Sequence, residues 1–158
     1  MNNDILRNNL MELLKGGSAH LTMKDALKDL AQENRAKRPS NNVHSVWELL
    51  VHIKTAQEDI YQYTIDPFWK SPKWPDEYWP PKDQVDIPDE LWNETIKNYK
   101  SDLNGLIKLV ENKDLNLLSD IPHGEGRTYL REILLAADHN SHHIGQIVVV
   151  RKMLGDWK

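Results

Sequence analysis

The chain has 158 residues, 39% of them hydrophobic, and its 20 Lys and Arg against 24 Asp and Glu give a net charge of −4. That length suits one domain, residues 1–158, with its own core, and charges of mixed sign give no electrostatic footing for nucleic acid or an anionic membrane. There is no cysteine, which excludes disulfides, thiolate metal sites and a cysteine nucleophile, and fits a reducing cytoplasm.

The opening stretch, MNNDILRNNLMELLKGG, lacks the basic-then-apolar order of a secretory signal. No apolar run approaches the roughly 20 residues of a membrane span. A cytoplasmic location is therefore expected. Ile5, Leu6, Leu10, Leu13 and Leu14 recur at helical spacing. They predict a helix from Asp4 to Lys15, with Asp4 at its start and Gly16-Gly17 ending it. A shorter helix begins at Thr22, where Thr22 and Asp25 resemble a capping box and Ala26, Leu27 and Leu30 supply the apolar side. The stretch AQENRAKRPSNN that follows is polar and reads as a loop.

A long helix is expected from Ser45 to Thr64. Ser45 and Glu48 form a capping box in the preferred residue types. Val46, Leu49, Leu50, Ile53, Ala56, Ile60 and Tyr63 trace one apolar stripe. From Asp66 to Pro88 the chain carries six of its eight prolines, and this segment can be neither a continuous helix nor a central strand. It contains FWKSPKWPDEYWPP, and so many aromatics argue for a packed cover rather than a disordered loop. Helix resumes at Asp89, and Leu91, Ile96, Tyr99, Leu103, Leu106, Ile107 and Val110 carry it to Asn112. NKDLNLLSDIPHGEGR is a second irregular connection. The last helix runs from Thr128 to Met153, about 40 Å at 1.5 Å per residue, with Gly155 placed to end it. Four substantial helices and no useful β-alternation give an all-α protein, a four-helix bundle with a long Trp/Pro-rich connection.

The last helix holds three of the seven histidines in DHNSHHIGQI. His139 and His143 are four apart and share a helix face, so both can reach one metal ion. His139 and His142 are a geometric rival. A third ligand has to come from another helix, and His52 stands within the apolar stripe of WELLVHIKTA, where a buried imidazole needs a partner. His44, Glu48 and His52 are also spaced by four, but Glu48 has a capping role and His44 precedes the helix. His20 and His123, at helix ends or in loops, read as structural.

HSVWELLVHI, WPDEYWP and above all DHNSHHIGQIVVVRKMLGDW resemble the DinB-like superfamily, and AHLTMKDAL extends the resemblance to nearly the whole chain. The resemblance implies an up-down-down-up bundle, often dimeric. It implies a metal triad of His52, His139 and His143, and so selects His143 over His142. It implies a divalent ion (nickel, zinc or manganese) and chemistry of the thiol-dependent transferase or hydrolase type, with a low-molecular-weight thiol such as bacillithiol, mycothiol or glutathione as partner. Ser141-His142 departs from the alanine-tyrosine that many relatives carry.

Around such a triad, Asp138, Gln146 and Glu48 are near enough in sequence to accept from the second imidazole nitrogens. Glu48, one turn before His52, is also the candidate catalytic base. Gly145 in mid-helix suggests a close approach by another helix. Ile144, Ile147, Val148, Val149 and Val150 point around most of the helix, which suits burial on all sides, in part by a second subunit. The loop residues Trp69, Trp74, Tyr78 and Trp79 are placed to cover the open side of the metal. The expected partners are thus a small-molecule substrate and a second copy of the chain. The rival readings are a non-catalytic metal or small-molecule binding module and a structural dimer with incidental histidines.

Overall fold

A computed structural model describes residues 3–157. Its helices are α1 (Asn3–Lys15), α2 (Met23–Leu27), α3 (Val46–Ile65), α4 (Asp89–Glu111) and α5 (Tyr129–Met153). Single 3-10 turns stand at Gln32–Asn34 and Asp76–Tyr78. Among the described residues there is no strand, only an isolated bridge between Asp120 and Thr128 in the α4–α5 connection.

The helix ends follow local chemistry. Ser45 and Glu48 close a reciprocal capping box, Glu48 N donating to Ser45 Oγ and Ser45 N to the Glu48 carboxylate. The Thr22 side chain accepts from Asp25 N at the start of α2, and Thr128 accepts from Arg131 N at the start of α5. Gly16 leaves α1 at φ +68, a conformation that a side chain would strain.

Residue pairs set the helix directions. Gln57 of α3 meets the Tyr99 carbonyl of α4, and Tyr61, one turn on, lies over Gly105, so α3 and α4 are parallel. Arg7 of α1 donates to the Val110 carbonyl at the far end of α4, while Lys15 shares a groove with Lys100 and Leu103, so α1 and α4 are antiparallel. The start of α3 packs with the end of α5, and its end with the start of α5. The order is up, down, down, up, and the long Asp66–Pro88 connection is what lets α4 run parallel to α3. α3 makes the most extensive contacts, with α5 on one side and α4 on the other.

The core has two apolar clusters. Leu49, Leu50 and Ile53 pack with Ile144, Ile147 and Val150 in one. Ile60, Leu106 and Val110 pack with Ile133 and Ala136 in the other. Between them, at mid-height, α3 and α5 present His52, Gln57, His139, Asn140 and His143. The buried amides are linked: Asn140 Nδ2 donates to Gln57 Oε1 (2.7 Å) and Gln57 Nε2 to the Tyr99 carbonyl (2.7 Å), while Asn140 Oδ1 is buried without a partner. The polar residues thus form a layer inside the bundle, where an unpaired polar group is costly.

One expectation is corrected. Gly145 is exposed, and a Cβ added there would meet nothing within 4 Å, so no helix approaches it closely. At the apolar end of α5, Ile144, Ile147 and Val150 are buried within the chain, and Val149 is 55% exposed.

Candidate metal centre

His52 on α3 and His139 and His143 on α5 come together: each offers a ring nitrogen, and the three lie within 4.8 Å of one another. Such a group can hold a metal ion. His52 is 2% exposed, and its Nε2 lies 3.1 Å from His139 Nε2. Ring centroids are 4.4–4.9 Å apart in all three pairs.

Hydrogen bonds orient two of the rings. His52 Nδ1 lies 3.2 Å from the Tyr78 carbonyl and His143 Nδ1 2.6 Å from Gln146 Oε1. Both partners are acceptors, so each Nδ1 carries the proton and each Nε2 keeps its lone pair for the cluster. His139 Nε2, 3.1 Å from His52 Nε2, is placed either to donate a hydrogen bond to that lone pair or to share a cation with it. Tetrahedral zinc with Zn–N bonds of about 2.0–2.1 Å would set its nitrogens about 3.4 Å apart, and a right-angled pair on a six-coordinate ion would be closer. The observed separation falls in that range. His139 Nδ1 is buried without a partner.

Burial disfavours the charged form of all three rings. Burial lowers the His52 pKa to about 4, with the neighbouring His143 adding to the effect. Burial also lowers His139 to about 3 and His143 below the ordinary histidine value. Neutral imidazole is the form that binds metal.

The long connection reaches the centre through three residues. The Trp79 ring stacks on His52 (centroids 3.9 Å, 1° between planes) and, on its other face, on His44 (4.1 Å, 15°). Tyr78 gives its carbonyl to His52, and Trp74, 72% exposed, lies 6.4 Å from the His52 ring. Trp69 packs further along α3. Asp59, two turns beyond His52, fastens the segment: its carboxylate accepts from Trp69 Nε1 (2.8 Å) and Tyr78 Oη (2.6 Å).

The other singled-out residues divide. Gln146 is in contact with His143 and also reaches His142 Nε2 at 3.2 Å, while His142 itself is exposed. Asp138 is exposed and makes no hydrogen bond to a histidine, because its position on α5 points away from α3. Glu48 is committed elsewhere: it caps α3, and both carboxylate oxygens accept from Arg38. Burial would raise its pKa, but the hydrogen bonds from Arg38 and Ser45 outweigh that and lower it. His44 stacks on Trp79 instead of joining the triad, and His20 and His123 bond backbone carbonyls far from it.

A half-open cavity of about 540 Å³ is lined by Val43, His44, Leu49, His142, Gln146 and Val149; none of the three clustered histidines lines it, and it adjoins them through Gln146, the partner of His143. Its size suits a small molecule. Sequence reasoning did not single out Asp59, Gln57 or Asn140. Asn140 was within reach as a polar residue between two inward positions of an otherwise apolar helix face. Asp59 gave no signal, because an acidic residue on the outer half of a helix is ordinary until the loop that it holds is placed.

The family model of the DinB superfamily matches residues 21–147, a span that contains all three clustered histidines. No curated protein and no solved structure matches the chain. This chain belongs to the DinB superfamily.

Proposed function

We propose that this DinB superfamily member is a divalent-metal-dependent enzyme of the thiol-dependent transferase or hydrolase type, with His52, His139 and His143 as metal ligands. The observation that carries the reading is the convergence of three imidazoles from two helices within 4.8 Å. Three nitrogen ligands accept nickel, zinc or manganese, and availability decides among them. Such an ion supplies Lewis acidity, lowering the pKa of a thiol or water brought to it.

The chain's own residues do the rest. Tyr78 and Gln146 hold two of the rings with Nε2 inward. Trp79 covers one face of His52 and keeps bulk water from it. The neighbouring cavity takes the apolar part of a substrate against Val43, Leu49 and Val149, with Gly145 leaving room. Glu48 is not assigned as the base, because its oxygens are bound by Arg38 and its lowered pKa makes it a weak proton acceptor. A thiol cofactor or a water is the nucleophile, since the chain has no cysteine. A homodimer belongs to the same reading, with Val149 and Met153, exposed one turn apart on α5, as the apolar contact.

The test is elemental analysis of the purified, tag-free protein beside its His139→Ala/His143→Ala variant. One divalent ion per chain in the parent, lost in the variant, is the expected result. No metal in either protein after exposure to zinc, nickel and manganese would remove the reading.

A further inference from the structure

On the opposite side of the bundle from the histidines, α2 and the first half of α4 enclose a groove of about 500 Å³, closed at one end by the last residue of α1. Its floor is apolar, with Leu27, Ile96, Leu103 and the Tyr99 ring. Its rim carries Lys15, Lys24, Lys28 and Lys100, and no carboxylate lines it. All four lysines are exposed, and among the described residues none is in an ion pair, whereas Lys54 and Lys113 are. The acidic neighbours in sequence, Asp25 and Asp29, line an adjoining cavity with Asp156 rather than the groove, and Lys28 stands between the two and lines both. In a chain of net charge −4, four unpaired cations are thus gathered around one apolar trough.

From this we infer a second binding site, independent of the histidine centre, for a single-tailed amphipathic carboxylate of the fatty-acid class. The apolar floor accepts the tail and the lysine rim the carboxylate. The volume falls within the roughly 300–1,000 Å³ of small-molecule sites. A charged head on an apolar stem, met by long ammonium side chains that bury their own methylenes, is the complement of this lining. No residue of the groove belongs to the triad or to the cavity beside it.

The probe is decanoate below its micelle concentration, titrated calorimetrically into the full chain beside decyltrimethylammonium, which has the same tail and the opposite charge. Saturable decanoate binding at one site is expected, tightening about fourfold for each methylene added between octanoate and decanoate. Lys24→Gln/Lys28→Gln and Lys15→Gln/Lys100→Gln, exposed changes whose folding circular dichroism confirms, should each weaken it about tenfold. The His139→Ala/His143→Ala variant should bind decanoate as the parent does. Absence of saturable binding, equal binding of the decyl cation, or indifference to both lysine pairs would overturn the inference. Loss of binding in the histidine variant would overturn it as well, by moving the carboxylate to the metal centre. An acidic amphipathic peptide bound in place of decanoate would replace it with a protein partner.

Discussion

Replacing Asp59 with alanine tests how the long connection is held on the histidines. The carboxylate accepts two hydrogen bonds, from Trp69 Nε1 at 2.8 Å and Tyr78 Oη at 2.6 Å. A hydrogen bond to a charged group contributes about 1.5–3 kcal/mol. Asp59 is half-buried and water can reach the vacated donors, so the low end applies. Asp59→Ala should therefore cost about 2–3 kcal/mol, or about 5–10 °C in Tm for a chain of this size. Asp59→Asn, which keeps one acceptor, should cost about half as much, and Tyr78→Phe should lose the single phenolic bond. The second readout is metal affinity. With its anchor gone, the Tyr78 carbonyl no longer fixes the His52 ring, and removal of such an outer partner weakens metal binding by about 10–100-fold. Thermal unfolding and competitive metal titration measure the two effects. Unchanged Tm and unchanged affinity in Asp59→Ala would refute the reasoning, and a loss of stability with full affinity would confine Asp59 to a structural role.

Acid should destabilise the fold through the triad. The folded pKa values of His52 (about 4) and His139 (about 3) lie below the ordinary histidine value of 6.5, so the unfolded chain binds more protons between them. Stability from these groups is complete above about pH 6.5 and is lost as pH falls toward 4, with these two taking up about two protons on unfolding near pH 5. Asp102, raised to about 6 by burial, contributes with the opposite sign. The parent should therefore be compared with His52→Asn/His139→Asn, in which a flatter pH profile from denaturant melts is expected and an identical one would count against the burial argument. Arg7, 4% exposed, donates to the Val110 carbonyl in the last turn of α4 and to the Leu115 carbonyl just beyond it, and Arg7→Ala should cost about 2–4 kcal/mol by urea unfolding because two carbonyls lose their donor. Ile53→Ala, at 0% exposure in the cluster next to His52, should cost about 2–5 kcal/mol, with a result under 1 kcal/mol contradicting its placement. Light scattering at micromolar concentration should give twice the chain mass, and Val149→Glu/Met153→Glu should halve it.

The sequence by itself determined the helices and their ends. Periodic leucines and isoleucines mark the inward faces, and Ser45, Thr22 and Gly16 act on neighbours only three or four residues away, so their effect is visible in the chain. The pairing of His139 with His143 is equally local, since a helix fixes positions four apart on one face. Tertiary structure alone decided the rest. Asp138 and Gln146 were equal candidates in sequence; the rotation of α5 against α3 turned Gln146 toward His143 and Asp138 to solvent. Glu48 was as near to His52 as any acid, but Arg38, brought back by the loop before α3, claimed its oxygens. Trp79 and Asp59 acquired their roles only when twenty-odd residues of proline-rich chain folded back along α3. Propensity and capping act over one or two turns, whereas the orientation of an imidazole depends on groups that the chain brings from far along its length.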